Sequence, residues 1–123
     1  MIIDAGPLIV DGGRVNSRLW ALVKRAAERD EELHTTHPVL CQVWRDPARQ
    51  ANLARALRYF EVHPLDESVS VGRRLADSGT ADVVDAHLVV TAERLGTFVL
   101  TADADDFARL GARFEAYSGA RPA

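Results

Sequence analysis

The segment DAHLVVTAERLGTFVLTADADDF, residues 85–107, decides the fold class of this chain. Apolar residues cover most of the circumference of the helix predicted for residues 83–95, which indicates burial on several sides. Gly96 is a natural terminator for that helix, and residues 97–101 predict a strand apolar enough to be covered on both faces. Asp103 follows directly. The segment therefore predicts a buried helix, a buried strand and an acid near the strand's carboxyl end.

The same alternation of strands and helices extends outward along the chain. Further strands are predicted at 1–4, 33–37, 60–65 and 113–115, and further helices at 16–29, 39–44, 47–59, 66–77 and 104–110. Alternating elements of this kind build parallel sheets with right-handed crossovers. We therefore expect an α/β fold, a three-layer α/β/α sandwich whose mostly parallel sheet has four or five strands.

Turn and capping residues set the predicted ends of several elements. The Gly6-Pro7 dipeptide is expected to stop the first strand in a turn. Pro47 suits the first turn of its helix, and Gly79 is expected to terminate the helix at 66–77. Two helices have alternative predicted caps: Asn16 or Ser17 for the helix at 16–29, and Asp66 or Ser68 for the helix at 66–77.

The composition indicates one ordered domain. The chain has 123 residues, of which 47% are hydrophobic and 27% are charged, with the charges of both signs interspersed. We expect a single domain over residues 1–117 and a polar end, 118–123, that frays. The formal net charge of -3 argues against an overall field that attracts nucleic acid, so only a local basic groove could do so.

Cysteine usage and the amino terminus bear on location. A single cysteine, Cys41, excludes an internal disulfide and suits a reducing compartment. The opening residues have no basic lead and include an acid at position 4, which predicts a strand rather than a secretory signal. No apolar run approaches the roughly 20 residues of a membrane span. We expect a cytoplasmic protein without membrane association.

Four aspartates are candidates for a single site. Asp4 and Asp103 each follow a predicted strand, and ligands of parallel sheets collect outside the carboxyl ends of the strands. Asp82 and Asp85 lie three apart near the start of the central helix, so they share one face. Carboxylates gathered without a strong cationic partner repel one another unless a hard divalent cation binds them. Mg²⁺ or Mn²⁺ in such a site suits phosphodiester hydrolysis.

Purely structural roles are alternatives for most of these acids. Asp82 has the position of an N-cap, and Asp85 could be a first-turn acid that completes the cap. Asp103, with the nearby Asp105 and Asp106, could be no more than a turn or cap residue before a short helix. Asp4 is the hardest to explain structurally, because a buried acid needs a partner.

These segments resemble the PIN-domain nucleases, and within them the VapC-like toxins of bacterial toxin–antitoxin pairs, over nearly the whole chain. IIDAGPLI resembles the family's first strand with its acid, and DAHLVVTAERLGTFVLTADADDF is similar to its third and fourth acid motifs. The resemblance implies that Asp4, Asp85 and Asp103 are catalytic and hold Mg²⁺ or Mn²⁺. It further implies that Thr101 positions Asp103 or a water, with Asp82 and Asp106 as neighbouring acids of the pocket.

The resemblance also implies a function and partners. Its members are α/β/α folds, commonly homodimers, that cleave RNA with Mg²⁺ or Mn²⁺. The chain is therefore expected to be a metal-dependent endoribonuclease, the toxin of a pair, whose protein antitoxin inserts a basic side chain into the acidic groove. Arg45 and Arg49, which lie with Arg55 and Arg58 in or next to one predicted helix, are candidate contacts for RNA, but a solvated helical face is the favoured explanation.

The segment PVLCQVWR departs from the family pattern at one position. It resembles the segment that carries the second acid, but Gln42 stands where the family has glutamate. Glutamine can hydrogen-bond a water or ligate weakly, yet it cannot act as a carboxylate base. Reduced activity, or an inactive PIN-like module that binds RNA or a protein partner, is therefore an alternative.

The sequence disfavours two other kinds of site, a zinc site and a phosphoacceptor site. The four histidines are not expected to form a zinc set, because only one cysteine is present and no histidine pair has a recognised ligand spacing. A phosphoacceptor domain of the receiver type would need a lysine late in the chain, but the only lysine is Lys24.

Overall fold

The computed structural model describes residues 1–11, 17–45 and 50–117. These residues contain five strands and seven helices. The strands are β1 (Ile2–Ile3), β2 (Leu33–Thr36), β3 (Phe60–His63), β4 (Val99–Thr101) and β5 (Phe114–Ala116). The helices are α1 (Ala5–Asp11), α2 (Arg18–Glu28), α3 (His37–Val43), α4 (Ala51–Leu57), α5 (Ser68–Ser78), α6 (Val83–Leu95) and α7 (Ala104–Arg109).

The five strands form one parallel sheet in the order β3-β2-β1-β4-β5. The chain moves from β1 through β2 to β3 in one direction, then returns past β1 to β4 and continues to β5. The direction therefore reverses between β1 and β4, which are paired by Ile2 with Val99 and by Ile3 with Leu100. In open parallel sheets the crevice at such a reversal is where ligands bind.

Helices flank the sheet as the predicted α/β/α sandwich requires. Helix α1 contacts α2 and α3, whereas α6 contacts α5 and α7. Helix α6 is buried through most of its middle, and its Leu88 and Val89 belong to the same apolar core as β1 and β4. Burial of this kind is the main source of stability in a domain this small. The predicted fold class and the buried central helix are confirmed.

Several helix ends agree with the sequence. The Ser17 hydroxyl caps α2 by accepting a hydrogen bond from the Trp20 N–H, while the alternative cap, Asn16, lies outside the described residues. Asp82 caps α6. Gly79 and Gly96 end α5 and α6 in the left-handed conformation, with φ of 69° and 68°, that glycine adopts without a steric penalty.

Other predicted boundaries are wrong. Helix α1 begins at Ala5, so Gly6-Pro7 lies in its first turn, where proline is tolerated because that N–H has no helical partner. Pro38 has the same role in α3, which begins earlier than predicted. Neither Asp66 nor Ser68 caps α5, because Glu67 occupies the cap position without a side-chain bond.

Helix α4 begins at Ala51 rather than near Pro47. Pro47 itself and the predicted frayed end, 118–123, lie outside the described residues.

Candidate active site

Asp4 lies at the carboxyl end of β1, beside the reversal in strand order. Its backbone N–H donates to the Leu100 carbonyl of β4 at 3.0 Å, and the residue is only 7% exposed. One carboxylate oxygen, Oδ1, accepts from the Ala5 N–H at 2.7 Å, and Oδ2 accepts from the Thr101 hydroxyl at 2.8 Å. These bonds explain how an acid is tolerated at the end of a buried strand.

Thr101 connects Asp4 to Asp103. Its fully buried hydroxyl, at the end of β4, donates to Asp4 and accepts a hydrogen bond from the Asp103 N–H at 2.9 Å. Asp103 occupies the N-cap position of α7, but its side chain makes no capping bond. One hydroxyl therefore fixes the acid after β1 relative to the backbone of the acid after β4.

Asp82 and Asp85 lie at the start of α6. The Asp82 carboxylate accepts from the Asp85 N–H at 3.0 Å, so the capping role considered for Asp82 is confirmed. Burial raises the pKa of Asp85 to about 7, and the negative charges of Asp4, Asp82, Asp106 and Asp103 add to the rise. The charges of the other four aspartates therefore all act on Asp85.

The pKa values of two further acids reflect the same crowding. Burial raises the pKa of Asp4, opposed by the hydrogen bonds from Ala5 and Thr101 and reinforced by the charges of Asp103 and Asp82. The pKa of Asp106 is raised first by its hydrogen bond to Asp103 and then by the charge of Asp103. Each acid thus destabilises the ionised form of its neighbours.

A cavity of about 250 Å³ opens on this cluster. Its lining consists of Gly79, Thr80, Ala81, Asp82, Asp85, Asp106, Arg109 and Leu110. Thr80 and Arg109 were not among the predicted site residues. Arg109 could have been found from its position three residues after Asp106 on the same helix, where the two side chains can interact. Its positive charge opposes the rise in the pKa of Asp106.

Gln42 and Arg45 line a different cavity. It measures about 530 Å³, and its lining is His37, Pro38, Cys41, Gln42, Arg45, Pro64, Leu65 and Val84. Gln42 is exposed on α3 and is not among the residues that line the acidic cavity. Nη1 of Arg45 donates to the carbonyls of Cys41 and Trp44 near the end of α3, a structural use of this cation. Arg49 lies outside the described residues.

The four histidines differ in burial, and two of them are in contact. His34, His63 and His87 are buried and His37 is exposed. Although no spacing in the sequence indicated a ligand pair, Nδ1 of His34 and Nε2 of His63 lie 2.9 Å apart. The prediction that the four histidines form no zinc set rested partly on their spacing in the sequence, which does not record that the parallel strands β2 and β3 bring distant residues together.

The acidic cluster suits a hard divalent cation by the chemistry of its side chains, but in the described part of the chain only His34, Glu61 and His63 have three ligand atoms within 4.8 Å of one another. The donors of the acidic cluster are carboxylate oxygens, which Mg²⁺ and Mn²⁺ prefer. Several ionised carboxylates in one partly buried place are unfavourable without positive charge, as the raised pKa of Asp85 indicates. A cation there would relieve this repulsion.

The arrangement defines a class of fold: the chain has a PIN-type, VapC-like fold, as its sequence motifs predicted. It resembles PAE2754 from Pyrobaculum aerophilum with a TM-score of 0.60 and 20% identity, over 92% of this chain and 81% of the other. It also resembles a chain of VapBC2 from Rickettsia felis, solved bound to a DNA fragment from its promoter. The TM-score is 0.67 and the identity 14%, over 96% of this chain and all of the other.

No protein-family model matches the sequence, and no curated protein matches it. Among the helices in the described part of the chain, none is long and apolar enough to cross a membrane.

Proposed function

We propose that this protein is a divalent-metal-dependent endoribonuclease that hydrolyses RNA phosphodiester bonds. The observation that carries the proposal is that the Thr101 hydroxyl bonds both the buried Asp4 carboxylate and the Asp103 N–H. The charges of both acids also act on Asp85, which lines a cavity with Asp82 and Asp106. These acids follow β1, begin α6 and lie at the start of α7, near the reversal of strand order where ligands bind in such sheets.

Each residue has a proposed role. Asp4, Asp85 and Asp103 are the metal ligands, and Mg²⁺ or Mn²⁺ is the ion that their oxygens suit. Thr101 is a positioning residue, because its hydroxyl contacts both Asp4 and the backbone of Asp103. Asp82 and Asp106 support the pocket by their charge.

The ion would supply the chemistry that carboxylates alone lack: a lower pKa for an attacking water and neutralisation of charge on the phosphate. The protein's part is to fix the acids rigidly and to hold a water. Gln42 is proposed to orient a water or to ligate weakly, since an amide can donate and accept hydrogen bonds but cannot take a proton at neutral pH. We therefore expect slow hydrolysis.

The proposed biological setting is that of a toxin in a toxin–antitoxin pair. Its support is the likeness of the fold to VapBC2 and PAE2754. We propose a cytoplasmic homodimer, with its nuclease domain in residues 1–117, neutralised by a protein antitoxin whose basic side chain enters the acidic cavity. Arg45 and Arg49 stay predictions as weak RNA contacts, to be tested by RNA retention on filters after their replacement by alanine.

Manganese-dependent cleavage of a structured RNA by the purified chain tests the nuclease proposal. Asp4→Asn should abolish cleavage, because the amide keeps the shape of the side chain but removes a negative charge from the site. Asp77→Asn is the matched control, since Asp77 is exposed on α5 and does not line the acidic cavity. Cleavage that persists in Asp4→Asn contradicts the proposal.

An inactive PIN-like module is the second candidate, and the position of Gln42 in a mostly apolar cavity favours it. Calorimetric titration of Mn²⁺ into the Gln42→Glu variant separates the two candidates. A restored carboxylate beside the ion should tighten binding and increase RNA cleavage. Unchanged affinity would mean that Gln42 does not lie beside the metal. RNA binding without cleavage in both proteins would support the module.

A further inference from the structure

Three polar side chains meet on β2 and β3, away from the acidic cavity. Nδ1 of His34 lies 2.9 Å from Nε2 of His63 and 3.5 Å from a carboxylate oxygen of Glu61. One ligand atom from each of the three residues lies within 4.8 Å of the others. In the strand register, His34 pairs with Glu61 and His63 pairs with Thr36, so the three residues lie on one face of the sheet.

This cluster is separate from the aspartates. None of its members lines the acidic cavity. The groups that change the pKa of His34 are, after burial, His63, Glu61, the amino terminus and Glu32. Those that change the pKa of Asp85 are the other aspartates. The two clusters therefore have different electrostatic neighbours.

We propose that His34, Glu61 and His63 form a second cation site, which takes Zn²⁺ or a similar transition-metal ion. Two imidazole nitrogens and one carboxylate oxygen are a donor set that zinc accepts, with a fourth position left for water. Nitrogen ligands of a tetrahedral zinc lie about 3.3 Å apart. The two rings therefore need to separate only slightly from their present contact.

His34 is prepared for such an ion. Only the neutral ring offers a lone pair to a metal, and burial together with the neighbouring His63 lowers the pKa of His34. Its Nδ1 faces the cluster, while its Nε2 lies 3.6 Å from a carboxylate oxygen of Glu32. A carboxylate behind the far nitrogen of a histidine ligand orients the ring and strengthens it as a donor.

Arg94 opposes the ion at His63. Its Nη2 lies 3.4 Å from Nδ1 of His63, and a guanidinium can only donate, so this contact favours a proton on Nε2 of His63. That proton then bonds to Nδ1 of His34. Metal binding moves the proton of His63 to Nδ1 and releases the contact with Arg94. Arg94 keeps a partner, because its Nε donates to Glu67 at 2.5 Å.

The site would join the edge strand of the sheet to its neighbour. Among the described strands β3 pairs with β2 alone, and Glu61 is exposed whereas the two histidines are buried. An ion held by one residue of β2 and two of β3 links the strands beyond their backbone bonds. Zinc should therefore also raise the unfolding temperature.

Zinc titration of the full chain by calorimetry tests the proposal. Excess Mg²⁺ is present throughout the titration. It occupies sites made of oxygen ligands alone and leaves sites with imidazole ligands free for Zn²⁺. One Zn²⁺ is expected to bind per chain. His34→Gln should abolish binding, and Glu61→Gln should weaken it about tenfold or more. His37→Gln is the matched control, since His37 is exposed on α3, and it should bind as the parent does.

The Glu61→Gln variant and one further variant keep the result unambiguous. Glu61→Gln changes an exposed side chain, so it reports on the site even if a buried histidine variant fails to fold. Arg94→Gln removes the opposing charge and should tighten binding about tenfold. Zinc affinity unchanged by Glu61→Gln overturns the proposal, as does zinc binding that Asp4→Asn abolishes. A simple hydrogen bond between the histidines is then the correct interpretation.

Discussion

Among single residues, Thr101 has the most consequential pair of contacts. Its hydroxyl serves a buried carboxylate and a backbone N–H together. Replacement by valine keeps the shape but leaves both partners unsatisfied. We expect Thr101→Val to lower the free energy of unfolding by about 1–3 kcal/mol in urea denaturation. It should also raise the pKa of Asp4, which loses a donor.

Thr91→Val is the control for this change. Thr91 is equally buried, but its hydroxyl donates to the His87 carbonyl one turn earlier in α6, an oxygen that the helix already satisfies. Loss of the Thr91 hydroxyl should therefore lower the free energy of unfolding by less than loss of the Thr101 hydroxyl. Thr101→Ser keeps the hydroxyl and should retain most of the stability that Thr101→Val loses. Equal losses in the two valine variants would contradict a special role for Thr101.

The pKa of Asp85 predicts how stability depends on pH when metal is chelated. The folded pKa is about 7, well above the ordinary value of an aspartate, so the folded chain binds more protons than the unfolded chain between those values. Stability should therefore be greatest at low pH within this window and fall as the pH rises to about 7. Because the side chain is only half-buried, solvent screening limits the effect to about 1–2 kcal/mol.

Urea denaturation in EDTA at a series of pH values measures this effect. Asp85→Asn cannot ionise, so its stability should depend less on pH across the same window. Asp77→Asn, on the exposed face of α5, should retain the parent's dependence. A parent profile that rises from pH 5 to pH 7 would show that Asp85 is not the dominant titrating group.

At the level of elements, the start of α1 packs tightly on the end of β4. A Cβ added to Gly6 would lie 2.8 Å from the Cβ of Ala102, closer than two carbons can approach. Gly6→Ala should therefore push α1 away from the strand end between Thr101 and Asp103. We expect a loss of about 1–3 kcal/mol in the free energy of unfolding.

Gly72→Ala is the matched change in another helix. Gly72 lies within α5, and a Cβ there meets nothing within 4 Å. Alanine has the higher helix propensity, so this variant should gain about 0.5–1 kcal/mol. Thermal or urea unfolding of both variants gives the comparison. If both substitutions changed the free energy of unfolding in the same direction, the close approach at Gly6 would be contradicted.

At the level of the whole molecule, metal binding should couple the separate acids to global stability. A ligand that binds only the folded chain adds about 2.7 kcal/mol at a hundred times its dissociation constant. Mn²⁺ should therefore raise the unfolding temperature relative to EDTA, and Asp4→Asn should reduce the rise. A rise that Asp4→Asn leaves intact would assign the stabilising ion to another site.

The sequence predicted the fold class because hydrophobic periodicity and glycine terminators are local signals. The burial of α6 and its end at Gly96 were visible in this way. The predicted boundaries near Pro7 and Pro38 were wrong, because proline is compatible both with a turn and with the first turn of a helix. The candidate acids could be named only because each follows a strand or begins a helix.

Contacts between elements that are distant in the chain could not be predicted from local signals in the sequence. His34 and His63 are 29 residues apart, and only the parallel register of β2 and β3 makes them neighbours. Thr80 lines the acidic cavity because α6 packs against α7, which no periodicity encodes, whereas the spacing of Arg109 from Asp106 on α7 was a local signal. Sheet order and helix packing therefore hold the information that the linear sequence lacked.

The hydrogen bond from the Asp4 N–H to the Leu100 carbonyl joins the two central strands at the very residue that carries the candidate ligand. That amide proton can exchange with solvent only when β1 and β4 part. The hydrogen-exchange rate of this amide therefore reports how often β1 and β4 separate at the centre of the sheet. Each such opening also moves the acids apart. The exchange rate of the Asp4 amide proton therefore reports how long the acidic pocket stays assembled.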